Sequence, residues 1–328
     1  MTYLSGSLIQ ATDYNGFVST NADANLNATW GTATSSAGYG QTALGTVSTG
    51  GSVTAAQWAS LNNTITSAAN HQGTSITSRT SPVAGNTISI LSALSTDLGS
   101  LYTNRYNASA SGTQYTAWTG TSSKTAATGS TNAAWTITWT HTVTWASAAS
   151  CFAFWNAGGL VKIQYSKTGG STGGDTNWNS FITNVVGTIY LSSTAASKTI
   201  GGTSYTGTTK SGGTGTPTTL STGTGFYQLV TTDTSLYQQY DSVYPYSTSY
   251  VLTTAKVDST TSPTILTLTT TWYQPAWWPG SNVSISGGTA TSGITFGTAP
   301  TTVVTYLPPE STYLTNSWGT PTVVASVV

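Results

Sequence analysis

Residues 135–145 constrain the fold more than any other stretch of the chain. Their sequence, WTITWTHTVTW, places apolar residues and one histidine at the odd positions and threonine at every even position. Side chains of a β-strand point alternately to opposite faces, so this period of two predicts a strand with one aromatic face and one threonine face. Such a strand needs a sheet partner and a second layer that covers its tryptophans. We expect it to join the sheet of the stretch that follows.

That following stretch, residues 150–193, predicts a small unit of strands around one helix. Two apolar runs, 151–155 and 160–166, flank the tetrapeptide Asn-Ala-Gly-Gly. Because Asn and Gly supply the positive φ angles of a tight connection, both runs are predicted as strands of a hairpin. A glycine-rich loop then leads to a short helix, which Gly187 ends before a further strand. The predicted buried face of this helix carries Trp178, Phe181, Ile182 and Val185.

Residues 1–105 are predicted to form a helical module with three helices. Thr12 is the predicted cap of the first helix, which runs to about Leu26, and Thr54 is the predicted cap of the second, which Gly73 stops. The third helix carries an apolar stripe made of Ile88, Leu91, Leu94, Leu98 and Leu101. This stripe either packs within the module or forms a short coiled coil about an oligomer axis, since two heptads are too few to decide.

The remainder of the chain favours strands. Residues 106–132 are polar and low in complexity, which is typical of a linker or surface loop. A mainly antiparallel β region is predicted from 133 to 328, as one unit or as subdomains 133–224 and 225–328. Its later strands are expected at 226–232, 249–257, 263–274, 283–286 and 301–307. The predicted fold class is therefore α+β, a helical module followed by mainly antiparallel sheet.

The last segment, residues 308–328, is predicted to be extended and peripheral. It begins with two prolines and ends in the run TVVASVV at 322–328. An extended apolar run of this kind is suited to pairing with an exposed sheet edge. We expect it to be available to the sheet edge of a neighbouring chain.

Composition excludes several classes of protein. Only 5% of the residues are charged, against roughly 25% in ordinary domains, and eight basic residues balance eight acidic ones. A basic footprint for nucleic acid or an anionic membrane is therefore missing from the sequence. No apolar run approaches the roughly 20 residues that span a bilayer. A neutral surface rich in threonine and aromatic residues suits either a chain covered by neighbouring subunits or an ordinary soluble monomer.

The termini and the cysteine content suggest assembly in a bacterial cytoplasm. The first ten residues carry neither a basic nor a long apolar segment, so no signal peptide is predicted. Cys151 is the single cysteine, which leaves no internal disulfide framework.

Histidine and cysteine offer little chemistry in this sequence. The chain has two histidines, of which His71 lies near a helix end, where a capping or surface role is expected. His141 shares a strand face with tryptophans and is expected to be a core residue. Together with Cys151 they are too few and too scattered to form a zinc site. We therefore predict no metal ion and no cofactor.

The acidic residues give one candidate catalytic pair. A glycosidase needs two converging carboxylates, and Asp233 and Asp241 are the only two that lie close in sequence within the β region. Both serve equally well as turn or cap residues, and no catalytic residue is predicted.

Aromatic residues around a proline-rich turn are the remaining candidates for contact with a partner. Trp272, Trp277 and Trp278 lie at this turn and are suited to stacking on sugar rings or to anchoring a subunit contact. The alternative is a buried aromatic corner.

Three separated blocks of sequence carry a family resemblance. The first block contains Phe154, residues 155–159 (WNAGG), Ser166, residues 168–170 (TGG), Asn177-Trp178 and residues 187–189 (GTI). The second contains residues 225–229 (GFYQL), Tyr237, residues 244–246 (YPY) and Ala255-Lys256. The third contains residues 13–15 (DYN), residues 38–41 (GYGQ) and residues 53–73, which end in HQG. In this pattern the chain resembles virion structural proteins of tailed bacteriophages that infect cyanobacteria and other aquatic bacteria.

This resemblance implies a component of the virion, without implying catalysis. Within that class, the neutral composition favours an exterior appendage such as a neck or collar fibre, a tail fibre or a decoration, built by homo-oligomeric assembly. The expected partners are other virion proteins and copies of the chain itself, with the helical module attaching the chain to the particle. The alternative is a carbohydrate-binding adhesin at a tail-fibre tip that contacts a glycan of the host surface.

Overall fold

The protein is an α+β chain in which a small helical part precedes mainly antiparallel sheets. A computed structural model gives its coordinates and describes residues 10–20, 25–83, 91–108, 119–125, 129–130, 135–170, 173–243, 246–275, 283–285, 288–290, 294–295 and 300–327. The helices are α1 (Ala11–Asn15), α2 (Leu26–Trp30), α3 (Ala55–Gln72), α4 (Leu91–Thr103), α5 (Ala148–Asn156) and α6 (Gly173–Ser180). Shorter helical turns are the π-helical segments Gly16–Thr20 and Phe181–Val186 and the 3-10 turn Phe226–Gln228.

The strands form two large antiparallel sheets and three small ones. The strands up to residue 200 are β1 (Thr119–Thr125), β2 (Gly129–Ser130), β3 (Trp135–Thr144), β4 (Leu160–Ser166), β5 (Thr188–Leu191) and β6 (Lys198–Ile200). Next come β7 (Thr203–Tyr205), β8 (Thr208–Ser211), β9 (Thr219–Leu220), β10 (Thr234–Tyr240), β11 (Tyr250–Val257) and β12 (Ile265–Gln274). The last are β13 (Val283–Ile285), β14 (Gly288–Ala290), β15 (Ile294–Thr295), β16 (Thr301–Leu307) and β17 (Thr322–Val327). The five-stranded sheet has the order β1-β16-β4-β5-β8 and the six-stranded sheet the order β17-β3-β12-β11-β10-β9.

Helix α3 begins and ends as the sequence predicts. The Thr54 side chain accepts a hydrogen bond from the backbone N–H of Gln57, and the Gln57 side chain accepts one from the Thr54 N–H in return. This reciprocal capping box satisfies two of the free donors at the helix start. Gly73 follows the helix in the left-handed region at φ 68°, where a residue without Cβ is favoured.

The first predicted helix is wrong in its bounds. Helix α1 starts one residue before Thr12, with Gln10 in the capping position, and passes into a π-helical turn that ends at Thr20. Leu26 belongs to α2, a separate helix whose cap is Asn25, because the Asn25 side chain accepts a hydrogen bond of 2.8 Å from the N–H of Ala28. A second capping residue inside the apolar pattern thus divides one predicted helix into two.

The apolar stripe of α4 packs inside the chain. Leu94, Leu98 and Leu101 are 2%, 1% and 0% exposed and belong to the main buried cluster. Ile88, and the side chain of Leu91, lie outside what the structure describes. Of the two readings of the stripe, its described part follows the one in which it packs within the fold.

Strand β3 has the predicted alternation, but it joins a different sheet from the one expected. Ile137, Trp139, His141 and Val143 are buried, and the threonines between them are half-buried. β3 pairs with β12 over ten residues without a bulge and with β17 on its other side. The strands of the unit at 150–193 lie in the five-stranded sheet, where β4 pairs with β16 and β5. The expected single sheet is therefore wrong, because α5 carries the chain from one sheet to the other.

The run at 151–155 is a helix, and its prediction as a strand is wrong. Ser147 caps α5 by accepting a hydrogen bond of 3.1 Å from the N–H of Ser150. The run is apolar at every position and each of its residues is buried, so it carries no period that separates a buried helix from a buried strand. The strand predicted at 160–166 is confirmed as β4.

The two large sheets face each other, and the helix after the glycine-rich loop packs against the inner face of the six-stranded sheet. The Tyr165 hydroxyl of β4 lies 2.7 Å from the Thr253 hydroxyl of β11. The Trp178 ring of α6 stacks on Trp272 of β12 at 5.4 Å between centroids and 3° between planes. Trp178, Phe181 and Ile182 are buried as predicted. Val185 is only half-buried and Val186 is fully buried in its place, because residues 181–186 form a π-helical turn.

Three further expectations change. The strand predicted at 226–232 is the 3-10 turn, and the sheet strand is β10, seven residues long, which starts at Thr234. The stretch predicted as a linker at 106–132 supplies β1, which pairs with β16. Residues 322–327 pair with β3 of their own chain. The expectation that this run is available to the sheet edge of a neighbouring chain is therefore wrong.

One buried cluster runs through the helical residues and both large sheets. It extends from Tyr14 and Trp58 through Phe154 and Val251 to Trp318. The predicted boundary at residue 105 therefore does not separate two hydrophobic cores. Among the helices in the described residues, none is both long and apolar enough to cross a membrane.

Candidate functional site

Polar side chains from five distant segments meet in one place beneath the surface. The segments are the loop 35–41, the end of α3, the end of α5, the 3-10 turn after Gly225, and the C-terminal stretch 310–317. We call this cluster the junction. Its members are Ser35, Gly38, Tyr39, Gln41, His71, Gln72, Asn156, Ala157, Tyr227, Glu310, Thr315 and Ser317.

Asn156 fastens α5 to the loop and to the 3-10 turn. Its side-chain amide donates to the carbonyls of Ser35 at 3.1 Å and Gly38 at 2.9 Å. Its side-chain oxygen accepts a bond of 2.7 Å from the hydroxyl of Tyr227. Asn156 is fully buried, and its bond to Gly38 is buried with it, so the loss of this side chain would leave polar groups without partners away from water.

Gln41 binds the C-terminal stretch through two hydrogen bonds between its side-chain amide and the backbone of one residue. Its side-chain amide donates to the Thr315 carbonyl at 2.8 Å, while its oxygen accepts from the Thr315 N–H at 2.8 Å. Ser317 adds a bond of 2.6 Å from its hydroxyl to the Tyr39 carbonyl. At Gly40, which has a φ of 72°, a Cβ atom would lie 2.9 Å from the Ser317 side chain. This close approach requires glycine, because a larger residue would push the C-terminal stretch away.

Tyr39 joins the loop to the two long helices. Its hydroxyl accepts a bond of 2.7 Å from the Gln72 amide of α3 and donates one of 2.8 Å to the Arg105 carbonyl just beyond α4. The Tyr39 ring meets the His71 ring edge to face at 5.2 Å. Burial raises the pKa of Tyr39 well above its ordinary value, so the hydroxyl keeps its proton as a donor.

His71 and Glu310 form the only junction contact with charge. The Nδ1 atom of His71 lies 3.1 Å from the Oε1 atom of Glu310, and Nε2 lies 3.1 Å from the carbonyl oxygen of Ala157. Each ring nitrogen therefore lies against a protein oxygen, Nδ1 against a carboxylate and Nε2 against a carbonyl. Burial acts to raise the pKa of Glu310, but hydrogen bonds from His71 and Thr312 outweigh it and leave this pKa below its ordinary value.

The junction corrects the expected role of His71 and shows what the sequence did not reveal. His71 is fully buried and has an acidic partner far away in sequence, so the capping or surface role is wrong. Both ring nitrogens contact protein oxygens, so the imidazole ring connects the end of α3 to the end of α5 and to the C-terminal stretch. The three blocks of family resemblance each supply junction residues, since the blocks contain Tyr39, Gln72, Asn156 and Tyr227. Asn156 and Tyr227 carried no individual signal, because neither residue type is distinctive without its partners.

The candidate catalytic pair does not converge. Asp233 and Asp241 lie at opposite ends of β10, which places them more than about 20 Å apart at the usual rise of a strand. Glycosidase carboxylates are separated by about 5–9.5 Å. Asp233 lies 3.5 Å from the Lys256 ammonium, and Asp241 accepts hydrogen bonds from the Asn177 side chain and the Val243 N–H.

Every carboxylate that the structure describes is engaged within the chain. The other four described aspartates are bonded as follows: Asp13 to the N–H of Gln10, Asp97 to Arg79, Asp175 to Lys167 at 2.8 Å, and Asp258 to the N–H groups of Thr264 and Ile265. Asp23 lies outside the described residues. Within the described part of the chain, His, Cys, Asp and Glu side chains form no group of three that could hold a metal ion.

The aromatic candidates for contact divide into two groups. Trp272 is fully buried between Trp139 and Trp178, so it belongs to the core and the buried alternative applies to it. Trp277 and Trp278 lie outside the described residues.

His141 is fully buried on the inner face of β3, as expected for a core residue, and Cys151 is buried in α5.

Lys198 is a buried lysine outside the junction. It is 2% exposed, and its ammonium donates to the Ser192 hydroxyl at 3.0 Å and to the carbonyl of Thr194. Burial lowers the pKa of Lys198 to about 8. Ser192 is fully buried as well and donates its own proton to the Gly207 carbonyl, so this pair is part of the interior.

The fold and the junction define an α+β protein whose polar centre fastens distant segments of its own chain. No family model, curated protein or solved structure matches this chain.

Proposed function

We propose that this chain is a non-enzymatic structural protein of a tailed-bacteriophage virion, located in an exterior appendage and acting through homo-oligomeric assembly. The observation that carries the proposal is the convergence of the three resembling blocks on the junction. Segments that are distant in sequence meet there: Asn156 bonds to Tyr227 and to the Gly38 carbonyl, and the next residue, Tyr39, bonds to Gln72. The resemblance therefore concerns the framework of the whole fold, which is what a structural component must preserve.

The use of charge in this chain supports a structural role. The charged groups that catalysis would need are engaged in internal ion pairs and caps, as the pairs of Glu310 with His71 and of Asp175 with Lys167 show. The chain carries zero formal net charge, so contacts between copies would be mainly apolar and hydrogen-bonded and would depend weakly on salt.

Purified particles test the proposal. Phage that encode this chain would be banded in a density gradient, and their proteins would be quantified by mass spectrometry. The proposal predicts the chain at a constant copy number per particle, comparable with other appendage proteins. Its absence from infectious, gradient-purified particles, together with its presence in the lysate, would contradict the proposal.

The orientation of the chain on the particle needs a test other than truncation. We infer that the helical residues attach the chain and that the β region faces outward. Deleting either part would remove pieces of one shared core, so single cysteines are the better probe. In a Cys151→Ser background, Asn63→Cys places a thiol on the exposed side of α3 and Thr260→Cys places one in an exposed loop of the β region. Maleimide should modify Thr260→Cys on intact particles, whereas it should modify Asn63→Cys only on the free chain. The reverse pattern would overturn this orientation.

A further inference from the structure

Three tyrosines form a continuous strip across neighbouring strands on the outer face of the six-stranded sheet. Tyr240, Tyr250 and Tyr273 are paired in register across β10, β11 and β12. Their ring centroids are 5.3 Å and 5.0 Å apart, and all three side chains are half-buried. In the part of the chain that the structure describes, the hydroxyls of Tyr250 and Tyr273 make no hydrogen bond, whereas that of Tyr240 accepts one of 3.2 Å from Gln238.

A field of threonine hydroxyls continues this face beside the tyrosine strip. β3 and β12 pair without a bulge, so their outward threonines stand in rows across the two strands. The cross-strand pairs are Thr138 with Thr271, Thr140 with Thr269, and Thr142 with Thr267. Their spacing is about 4.8 Å between strands and about 6.7 Å along a strand. These side chains are half-buried, and their hydroxyls form no hydrogen bond with the described residues, so they keep their donors and acceptors for a ligand or water.

The face carries almost no charge. Lys256 is the one Lys, Arg, Asp or Glu within the six strands of this sheet, and it is paired with Asp233 at 3.5 Å. Lys256 lies six residues along β11 from Tyr250, which is about 20 Å. Asp241, which follows Tyr240, is 4% exposed and accepts hydrogen bonds from the Asn177 side chain and the Val243 N–H. The tyrosine strip therefore offers little counter-charge to an anionic or cationic ligand.

We propose that the tyrosine strip and the threonine field together bind a neutral polysaccharide. Sugar rings present apolar C–H faces that pack on aromatic rings, and their hydroxyl edges exchange hydrogen bonds with threonine and tyrosine hydroxyls. The strip places three aromatic rings in a line across three strands, and the field supplies uncharged hydroxyls at regular spacing beside it. This combination fits an extended, uncharged and hydroxyl-rich polymer. The site differs from the tryptophans at the proline-rich turn, and it does not depend on the virion role of the chain.

Affinity electrophoresis of the full chain tests this binding. Native gels would contain hydroxyethylcellulose, dextran or guar galactomannan as neutral polymers and alginate as an anionic one. We expect retardation by at least one neutral polymer and none by alginate. Tyr250→Ala removes the central ring of the strip and should weaken the retarding affinity at least about tenfold. Tyr250→Phe keeps the ring and should retain most of it.

A matched control keeps loss of folding apart from loss of binding. Tyr313→Ala removes a half-buried tyrosine from the C-terminal stretch, away from the sheet face, and should bind as the unchanged chain does. Thermal unfolding of Tyr250→Ala must show a native transition before its binding is compared. Retardation by none of the three neutral polymers would overturn the proposal, as would equal retardation of Tyr250→Ala and the unchanged chain. Burial of this face between two copies, seen as a dimer that Thr269→Lys dissociates, would overturn it too.

Discussion

His71 and Glu310 are 239 residues apart in sequence and 3.1 Å apart in the fold. Their contact ties the end of α3 to the C-terminal stretch, and the bond from His71 to the Ala157 carbonyl adds the end of α5. Side-chain exposure is 0% for His71 and 3% for Glu310, so the pair is shielded from water. Because these contacts connect distant segments, the helical residues and the C-terminal stretch stabilise each other.

Replacing Glu310 tests how much its contact with His71 stabilises the fold. Glu310→Gln keeps the shape of the side chain but replaces the buried carboxylate that His71 contacts by a neutral amide, which should lower the free energy of unfolding by about 3 kcal/mol. Urea titration followed by tryptophan fluorescence measures this change. The matched control is Asp233→Asn, which removes an ion pair whose side chains are 39% and 50% exposed and should change stability by less than about 1 kcal/mol. Equal effects of the two variants would show that the buried pair does not stabilise the fold.

Acid should weaken the fold through the same carboxylate. The folded pKa of Glu310 lies below its ordinary value of 4.5, so the unfolded chain takes up this proton first as the pH falls. The stability that Glu310 contributes is therefore complete above about pH 5 and is lost as the pH falls through the folded pKa. Unfolding measured between pH 6 and pH 3 should show a smaller loss in Glu310→Gln than in the unchanged chain. Parallel curves for the two proteins would refute this assignment.

Alkaline pH should strengthen the fold through Lys198. Its folded pKa of about 8 lies below the ordinary 10.5, so between these values the unfolded chain holds a proton that the folded chain has released. Relative to Lys198→Met, the unchanged chain should therefore gain about 1–2 kcal/mol of unfolding free energy from pH 7.5 to pH 9.5. Burial raises the pKa of Cys151 and of tyrosines such as Tyr165, which acts in the opposite direction, but these groups are common to both proteins. Lys256→Met, at a lysine whose side chain is 39% exposed, is the control and should keep the pH dependence of the unchanged chain. Identical pH dependence in Lys198→Met and the unchanged chain would contradict this assignment.

Trp178 should be among the most sensitive core positions. Its ring stacks on Trp272, and its indole N–H donates a bond of 2.6 Å to the side-chain oxygen of Gln274. Trp178→Ala removes both contacts and leaves a cavity, so we expect a loss of about 3–5 kcal/mol in denaturant titration. A loss under about 1 kcal/mol would show that α6 does not cover the sheets as described.

Periodic and capped segments are the parts of the fold that sequence reasoning predicts. The alternation of β3, the capping box at Thr54 and the helix face of Trp178 depend only on neighbours within a few residues, so each is visible locally. The continuous apolar run of α5 has no period, and its secondary structure is decided by its surroundings. Sheet membership escaped prediction for the same reason, because β3 finds its partners more than a hundred residues later in the chain.

The junction could be predicted even less than the fold. Its residues are ordinary types, such as Gln41 and Asn156, whose partners lie 274 and 118 residues away in sequence. Gly38 and Gly40 adopt positive φ angles at which a Cβ would collide with neighbouring atoms, but the sequence alone does not show which contact requires glycine. Both readings of Trp272 were open from the sequence, because the alternation of its strand favours burial and the adjacent proline-rich turn favours contact with a partner.

A reconstruction of the intact particle by cryo-electron microscopy tests the central claim most directly. Density that fits the two packed sheets and the junction, repeated by the symmetry of a neck, tail or capsid-surface position, is the result that a virion structural protein predicts. Particles that are complete and infectious but contain no density for this fold, with the chain found only in the host cell, would contradict it.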